Sequence, residues 1–456
     1  MQAKSFRGYW WLPSRPDVPS PGQLTVAEDG RCELQLIGGL DLRPEDPTHG
    51  IFNDRVPILH GEAEGKPITL LDCFTIRGDG LAGHSGGRQD IHVHEALIGV
   101  HVRDEEAAFT AAILTLEHLA SWLALDRLVE RSEDLGVETA KTRPPEPRTC
   151  TVDGWTITAR VLAQPFHVET ERSRLAITGE LGPYLVISAS DPVRAVDFHG
   201  VVLELMDLLT LASGEASGQI GLTLVHKDPI PHRDVDGTTF EYERRVDCYG
   251  SRTHTARPSE TATADWRFLF SCRDQPFEEL VPRWLALRRK APEACNVLFG
   301  VRYSRPTYTE VRLLLAAITA ETLHSSLYGD ETELSTADFE RIREAVLGAL
   351  DDPIERQWAR QRLRNSPSFR ERLASLASKP DRLAMAAIVP DTERWTRQVR
   401  DARNLLAHTG NESTDEDIFR LERVTTAVLS LVLMSELGLS AETQQRAARD
   451  VLRVEA

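Results

Sequence analysis

The sequence has few cysteines and no close pair of them, and it contains no long apolar run. The six cysteines are scattered without a C-x-x-C pair, which favours buried thiols in a reducing compartment over a disulfide framework or a zinc site. They are Cys32, Cys73, Cys150, Cys248, Cys272 and Cys295. No apolar stretch reaches the length that a bilayer requires, and the first residues lack the basic-then-apolar run of a signal peptide. We therefore expect a soluble, cytoplasmic protein without a membrane partner.

An excess of basic charge is also lacking, since the net charge is -17. Non-specific affinity for nucleic acid depends on phosphate neutralisation by Lys and Arg, so the acidic balance argues against a general nucleic-acid coat. Any contact with RNA then requires a local basic patch. Arg394, Arg397, Arg400 and Arg403 recur three residues apart and are the candidate for it. For the first two, a solvated charged face is an equally good interpretation.

Several common site signatures are missing. Neither a G-x-S-x-G elbow nor a Walker-type phosphate loop occurs. Gly78, Gly80 and Gly83 match G-x-G-x-x-G, but no helix signal follows, so the match predicts a loop and not a dinucleotide site. His92 and His94 point to one face of a predicted strand, yet no third ligand follows at close spacing. We interpret them as partly exposed strand histidines and leave open whether they bind anything.

The pattern of apolar residues divides the chain into two regions. A length of 456 residues predicts two or three domains. Up to residue 276 the pattern is mostly period two, which predicts an antiparallel sandwich or open barrel with helices at 114–129 and 193–211 and a last strand at 266–270. A Pro-rich connection near 141–150 is a candidate split into two subdomains. In residues 277–456 the apolar residues recur at helical spacing. We therefore expect an α+β multidomain protein with a β-rich region followed by an all-α bundle.

One amphipathic helix is predicted directly after Pro390. Asp391 is its expected N-cap, and Gly410 with Asn411 supplies its stop. Four apolar residues at spacings of four, three and four form one buried stripe. These are Trp395, Val399, Ala402 and Leu406.

Arg403, Asn404 and His408 lie toward the polar end of this helix. Histidine titrates near neutral pH, a guanidinium binds phosphate oxygens, and an amide can orient either group. These groups suit RNA cleavage without a metal, which needs a base for the ribose 2′-OH, a cation for the charge on phosphorus and an acid for the leaving oxygen. One histidine does not easily provide both base and acid, so two copies of the chain in a symmetric dimer would share these roles.

The spacing of arginine and histidine carries little weight by itself. Arg-x4-His also occurs at 55–60, within a predicted strand, and at 194–199, early in a predicted helix. The instance at 403–408 differs because Asn404 follows the arginine directly and because an amphipathic helix in a wholly helical region carries it. These features favour the catalytic interpretation.

A first long helix, at about 309–328, offers an acidic partner. Its predicted apolar stripe is Val311, Leu314, Leu315 and Ile318, and the next position by geometry is Glu321. A carboxylate on a buried stripe is costly unless it meets a cation, and Arg403 or Arg400 is the expected partner. In the alternative, Glu321 lies at the edge of the stripe and reaches water. We interpret His324, one turn further on, as a surface histidine.

The motif Arg403-Asn404-x-x-x-His408 in a C-terminal helical region resembles that of the HEPN superfamily of metal-independent ribonucleases, in which Arg, a polar residue, a short spacer and His follow one another. The N-terminal half resembles the ApeA-type domain that precedes such modules in bacterial anti-phage proteins. The likeness rests on an aromatic segment at 8–13, a Gly-x-Leu-x-Val strand at 22–26 and a Leu-x-Gly-x-x-x-Gly-x-x-Ile-Thr-Leu segment at 59–70.

The resemblance implies an endoribonuclease that acts in anti-phage defence by abortive infection. His408 would be the general base or acid, Arg403 would hold the scissile phosphate, Asn404 would orient them, and Glu321 and Arg400 would support the site. The products would carry a 2′,3′-cyclic phosphate and a 5′-hydroxyl, and neither a cofactor nor a metal is expected for this reaction.

The partners implied are an RNA substrate, a phage-derived trigger at the N-terminal region, which senses or restrains, and further copies of the chain in a homodimer or higher oligomer. Two alternatives stay open. In one, a catalytically silent HEPN-like domain dimerises or holds a nucleotide; in the other, the β-rich half is the main actor, as a ligand-binding module.

Overall fold

The computed structural model describes the backbone of most of the chain, in the ranges 3–40, 55–78, 87–103, 106–125, 129–134, 137–142, 145–163, 167–170, 175–178, 181–234, 236–250, 267–304, 308–329, 331–408 and 415–452. The chain forms two compact units. The first contains residues 1–266 and 271–282, and the second contains 267–270 and 283–456.

The first unit is built mainly of antiparallel strands. In chain order the strands are β1 (Lys4–Trp11), β2 (Ser20–Val26), β3 (Cys32–Ile37), β4 (Arg55–Ala63), β5 (Lys66–Gly78), β6 (Arg88–Ile98), β7 (Phe109–Leu116), β8 (Val129–Asp134), β9 (Val137–Thr142), β10 (Arg148–Val152), β11 (Trp155–Ala163), β12 (His167–Thr170), β13 (Leu175–Thr178), β14 (Leu181–Val193), β15 (Gln219–His226), β16 (Ile230–Arg233), β17 (Thr239–Tyr242) and β18 (Arg245–Gly250). Two helices accompany them, α1 (Leu119–Trp122) and α2 (Ala195–Ser213).

The first six strands close into a barrel. They pair in the order β1, β2, β3, β6, β5 and β4, and β4 returns to β1. Closure satisfies the backbone hydrogen bonds that an open sheet would leave at its two edges. Every second side chain of a strand points into the barrel and fills its interior. In β3, Cys32, Leu34 and Leu36 are buried and the residues between them are exposed.

Trp10 explains the spacing of aromatic residues and glycines in this barrel. Its side chain is completely buried, and Trp10 pairs with Gly61 across β1 and β4. A methyl group at Gly61 would lie 2.2 Å from Cε3 of Trp10, and one at Gly22 would lie 3.1 Å from its Cδ1. The two glycines therefore make room for one indole, which joins the 8–13, 22–26 and 59–70 segments into a single packing unit.

A second sheet continues from the barrel through β6. Residues 88–93 of β6 pair with β3 in the barrel, whereas 95–98 pair with β18. From there the order is β18, β15, β7, β14, β11 and β10. Strands from both sides of residues 141–150 thus belong to one sheet, since β7 pairs with both β14 and β15. The helix predicted at 193–211 is observed as α2, most of whose residues are buried.

Two predicted elements of this region are wrong. The helix predicted at 114–129 is instead the end of β7, the four-residue helix α1 and the start of β8. Because β7 lies between two strands and most of its residues are buried, its apolar run is nearly continuous and resembles a helix in sequence. The strand predicted at 266–270 is also wrong over 267–270, where Phe268, Leu269 and Phe270 are buried in an irregular segment. Residue 266 lies outside the described residues.

The second unit is helical. Its helices are α3 (Phe277–Lys290), which begins in the first unit, α4 (Pro292–Tyr303), α5 (Thr309–Tyr328), α6 (Thr336–Gly348), α7 (Pro353–Arg362), α8 (Phe369–Ala377), α9 (Arg382–Ile388), α10 (Thr392–His408), α11 (Asp415–Glu436) and α12 (Ala441–Asp450). Helix α5 packs against α4, α8, α10 and α11. Within the described residues, none of the helices combines the length and the apolar character needed to cross a bilayer. The predicted fold class, a β-rich region followed by a helical one, is confirmed.

We predict that Gly61→Ala destabilises the barrel by about 1–3 kcal/mol, because the added methyl group forces the buried indole of Trp10 to move. Chemical denaturation followed by tryptophan fluorescence measures the change. Gly182→Ala is the matched control, since a methyl group there meets only the carbonyl oxygen of Leu162 at 3.9 Å. A loss of equal size in both variants would contradict this packing account.

Candidate active site

Helix α10 is fixed by the apolar side chains of its first half. Trp395 and Val399 are buried, and the indole N–H of Trp395 donates to Oγ1 of Thr425 on α11 at 3.4 Å. The Asp391 carboxylate accepts a hydrogen bond from the backbone N–H of Arg394 at 2.9 Å, which is the predicted N-cap. Ala402 and Leu406 are half-buried. The predicted stop at Gly410 and Asn411 lies outside the described residues.

The buried face of α5 differs from the predicted one. Val311 and Ile318 are exposed, and Leu314 and Leu315 are only half-buried. The inward face is Leu313, Ala316, Ala317, Thr319, Ala320, Leu323, His324 and Leu327. The middle of this face consists of alanines, which let neighbouring helices approach closely, so the larger Val311 and Ile318 do not mark the core side. The predicted stripe is therefore wrong.

Glu321 lies at the edge of this face and contacts Arg403. A guanidinium N–H of Arg403 donates to Oε2 of Glu321 at 3.0 Å, which joins α10 to α5. Their side chains are 35% and 37% exposed, so the pair is accessible to solvent. The guanidinium also lies over the ring of Phe369 on α8, 5.0 Å from its centroid. Arg403 is thus held from two sides while part of its surface faces water.

The other predicted site residues lie along the same helix. Asn404 is exposed, and Arg400 donates to the carboxylate of its neighbour Asp401 at 2.7 and 2.9 Å instead of to Glu321. Helix α10 continues to His408, one turn beyond Asn404, but the His408 side chain lies outside what the structure describes. The structure therefore brings Arg403 and Glu321 together, and the meeting of Arg403 with His408 stays a prediction.

Three of the four arginines in the row on α10, namely Arg397, Arg400 and Arg403, pair with acidic neighbours. Arg397 and Arg370 of α8 both reach Glu393, at 3.5 and 2.8 Å. Arg400 pairs with Asp401 and Arg403 with Glu321. Exposed pairs of this kind are weak, so phosphate groups can compete for the guanidinium groups.

His324 is buried, and its interpretation as a surface histidine is wrong. Its Nε2 lies 3.2 Å from a carboxylate oxygen of Glu331, and burial lowers the pKa of His324. Glu331 also accepts hydrogen bonds from Lys379 and Ser375, both at 2.7 Å. The bond from Lys379 makes the largest contribution to holding the pKa of Glu331 at about 2. This cluster ties the end of α5 to α8.

Comparison with known families gives two matches. Residues 5–284 match the family described as ApeA N-terminal domain 1, and residues 314–443 match the family described as Apea-like HEPN. This chain belongs to the ApeA family and carries a C-terminal HEPN domain. No curated protein and no solved structure matches it. In this ApeA-like chain, Glu321 and Arg403 both fall within the HEPN match.

The two alternative Arg-x4-His instances of this ApeA-like chain lie in its first unit. Arg55 and His60 are in β4, and Arg55 pairs with Asp72 at 2.6 Å. Arg194 precedes α2 and pairs with Asp197 at 2.9 Å. His199 contacts Glu95 on β6 at 2.8 Å. Spacing alone gave no sign of these partners.

A second carboxylate in the HEPN domain was missed by sequence reasoning. Glu422 of α11 is almost completely buried and accepts a hydrogen bond from Arg312 of α5 at 2.8 Å. It occupies a position in α11 next to half-buried Leu421, and no local pattern distinguishes it from the surface acids nearby. Its burial indicates a structural role within the bundle.

We predict that Arg312→Ala lowers the free energy of unfolding by about 3 kcal/mol, because it leaves the almost completely buried carboxylate of Glu422 without its cation. Arg403→Ala is the matched control and should cost less than about 1 kcal/mol, since the carboxylate of Glu321 is 37% exposed and stays solvated. Chemical denaturation followed by far-UV circular dichroism measures both. If the Arg403 variant loses as much stability as the Arg312 variant, the distinction between the buried and the accessible carboxylate is wrong.

Proposed function

We propose that this ApeA-like protein is a metal-independent endoribonuclease of the HEPN type that acts in anti-phage defence. Membership in the ApeA family supports a HEPN-type anti-phage protein, and HEPN domains are generally ribonucleases. The observation that carries the proposal is the position of Arg403. Its guanidinium is held by Glu321 and Phe369, remains accessible to solvent, and lies on the same helix as His408.

Arg403 supplies the cation of the proposed reaction. Its contact with Glu321 uses one terminal nitrogen, and a guanidinium has five N–H donors, so others can bind the oxygens of a scissile phosphate. Glu321 orients the guanidinium before RNA arrives, which limits the entropy lost on binding. As negative charge develops on the phosphoryl oxygens, this fixed cation stabilises the transition state.

His408 and Asn404 supply proton transfer and orientation. The imidazole takes the proton of the ribose 2′-OH or gives a proton to the departing 5′-oxygen. The oxygen of the 2′-hydroxyl then bonds to phosphorus and the 5′-oxygen leaves, which produces a 2′,3′-cyclic phosphate and a 5′-hydroxyl. Asn404 lies one helical turn before His408, a spacing at which two side chains are neighbours on a helix surface. Arg400, paired with Asp401, adds positive charge one turn earlier.

The division of labour in the proposal follows the two regions. The β-rich part, residues 1–276, senses a phage-derived trigger or restrains the helical part, residues 277–456, which cuts RNA. Because each chain offers one His408, a homodimer would bring two imidazoles to the substrate, one as base and one as acid. Cleavage of RNA in the infected cell would then stop growth before phage is released, which is abortive infection.

We predict that His408→Ala lowers the rate of RNA cleavage on the order of a hundredfold or more, the usual scale for removing an acid–base group. Arg403→Ala should cause a comparable loss by removing the cation. The measurement is RNA integrity and growth of the same bacterial host expressing wild type or variant.

Arg341→Ala is the matched control for this experiment, because Arg341 is an exposed arginine on α6 of the same unit and pairs with Asp338 in its own helix. It should cleave RNA and arrest growth like the wild type. Intact activity in His408→Ala would overturn the assignment. RNA that the wild type binds but never cuts would instead favour a silent nucleotide-binding domain.

A further inference from the structure

Three side chains with metal-binding atoms meet in the first unit, although they are far apart in sequence. Glu95 lies near the end of β6, His199 in α2 and Cys248 in β18. One carboxylate oxygen, one imidazole nitrogen and one sulfur atom all lie within 4.8 Å of one another. Glu95 and Cys248 are each only 5% exposed, and the His199 side chain is largely buried.

The carboxylate of Glu95 is the centre of this group. The thiol of Cys248 donates to Oε1 of Glu95 at 2.8 Å, and Nε2 of His199 lies 2.8 Å from the same oxygen. The sulfur of Cys248 and Nε2 of His199 therefore both face one oxygen of Glu95, which is the third potential ligand. A carboxylate oxygen is itself one of the ligand atoms that divalent zinc takes in proteins.

A small cavity adjoins these side chains. Its volume is about 20 Å³, which is room for one water molecule or one ion, and Glu95, His199 and Cys248 line it together with Gln219. Gly250 faces Glu95 across β18 and β6 and also lines the cavity. A methyl group at Gly250 would lie 2.8 Å from the backbone oxygen of His94, so glycine lets β18 approach β6 closely at this point.

We propose that Glu95, His199 and Cys248 form a Zn²⁺ site. A thiolate, an imidazole and a carboxylate are the three side-chain ligand types that Zn²⁺ takes in proteins, and a tetrahedral ion with three protein ligands keeps a fourth position for water. The cavity holds that position. On binding, the Cys248 thiol loses its proton to solvent, and its hydrogen bond to Glu95 is replaced by bonds from sulfur and oxygen to the metal.

The site would couple three elements of the β-rich unit. The ion would join α2 to the part of β6 that pairs with β5 of the barrel on one side and with β18 on the other. Since the ligands come from separate elements, metal binding favours the folded unit over the unfolded one. This proposal does not depend on the nuclease function of the helical unit, and its failure would leave that function untouched.

The test uses the full-length protein, stripped of metal with a chelator and then titrated with ZnCl₂ or CoCl₂. About one ion should bind per chain, and Zn²⁺ should raise the melting temperature. Co²⁺ in the same place should produce a thiolate-to-metal charge-transfer absorption. Cys248→Ser and His199→Ala should lose tight Zn²⁺ binding, and the cobalt thiolate band should vanish in Cys248→Ser.

Matched controls come from the same unit. Cys150→Ser changes another buried cysteine on a strand, and His92→Ala changes a histidine whose ring centroid lies 4.7 Å from that of Phe74. Both should bind Zn²⁺ like the wild type. Binding by Cys248→Ser at wild-type strength, or no thiolate band in the wild type, would overturn the proposal. The wild-type cobalt spectrum decides the matter even if Cys248→Ser fails to fold.

Discussion

The packing of the apolar face of α10 is the constraint on which the proposed active site depends. Trp395 and Val399 are buried, and this fixes the rotation of the helix about its axis. That rotation directs Arg403 toward Glu321 on α5 and Phe369 on α8. The catalytic proposal therefore rests on burial in the first half of the helix as much as on the polar residues at its end.

The helical unit uses arginine and glutamate in two different ways. Between α5 and α11, Glu422 is buried against Arg312, and removing Arg312 would leave a carboxylate with too little solvation. Between α5 and α10, Glu321 and Arg403 remain half-exposed. The pair of Glu422 and Arg312 holds the bundle together. In the other pair, Arg403 can bind a phosphate in place of the Glu321 carboxylate at a small cost in free energy. Accessibility, and not the pairing itself, marks the candidate site.

Sequence periodicity predicted α10 and its buried Trp395 and Val399, because large apolar residues at helical spacing indicate both a helix and its buried face. It failed for the inward face of α5, since alanines pack there and Val311 and Ile318 face outward. It also failed for β7, whose burial hides the alternation of a strand. The group around Cys248 has no sequence signature at all, because its members are brought together only by the pairing of distant strands and by α2.

Cleavage of RNA through attack by the 2′-hydroxyl leaves a specific pair of RNA ends. The most direct measurement is the chemistry of the RNA ends that the purified protein produces in a buffer without added divalent cations. Attack by the 2′-hydroxyl predicts fragments with a 2′,3′-cyclic phosphate and a 5′-hydroxyl. Fragments with a 3′-hydroxyl and a 5′-phosphate, or cleavage that occurs only after Mg²⁺ is added, would contradict the proposed roles of Arg403 and His408.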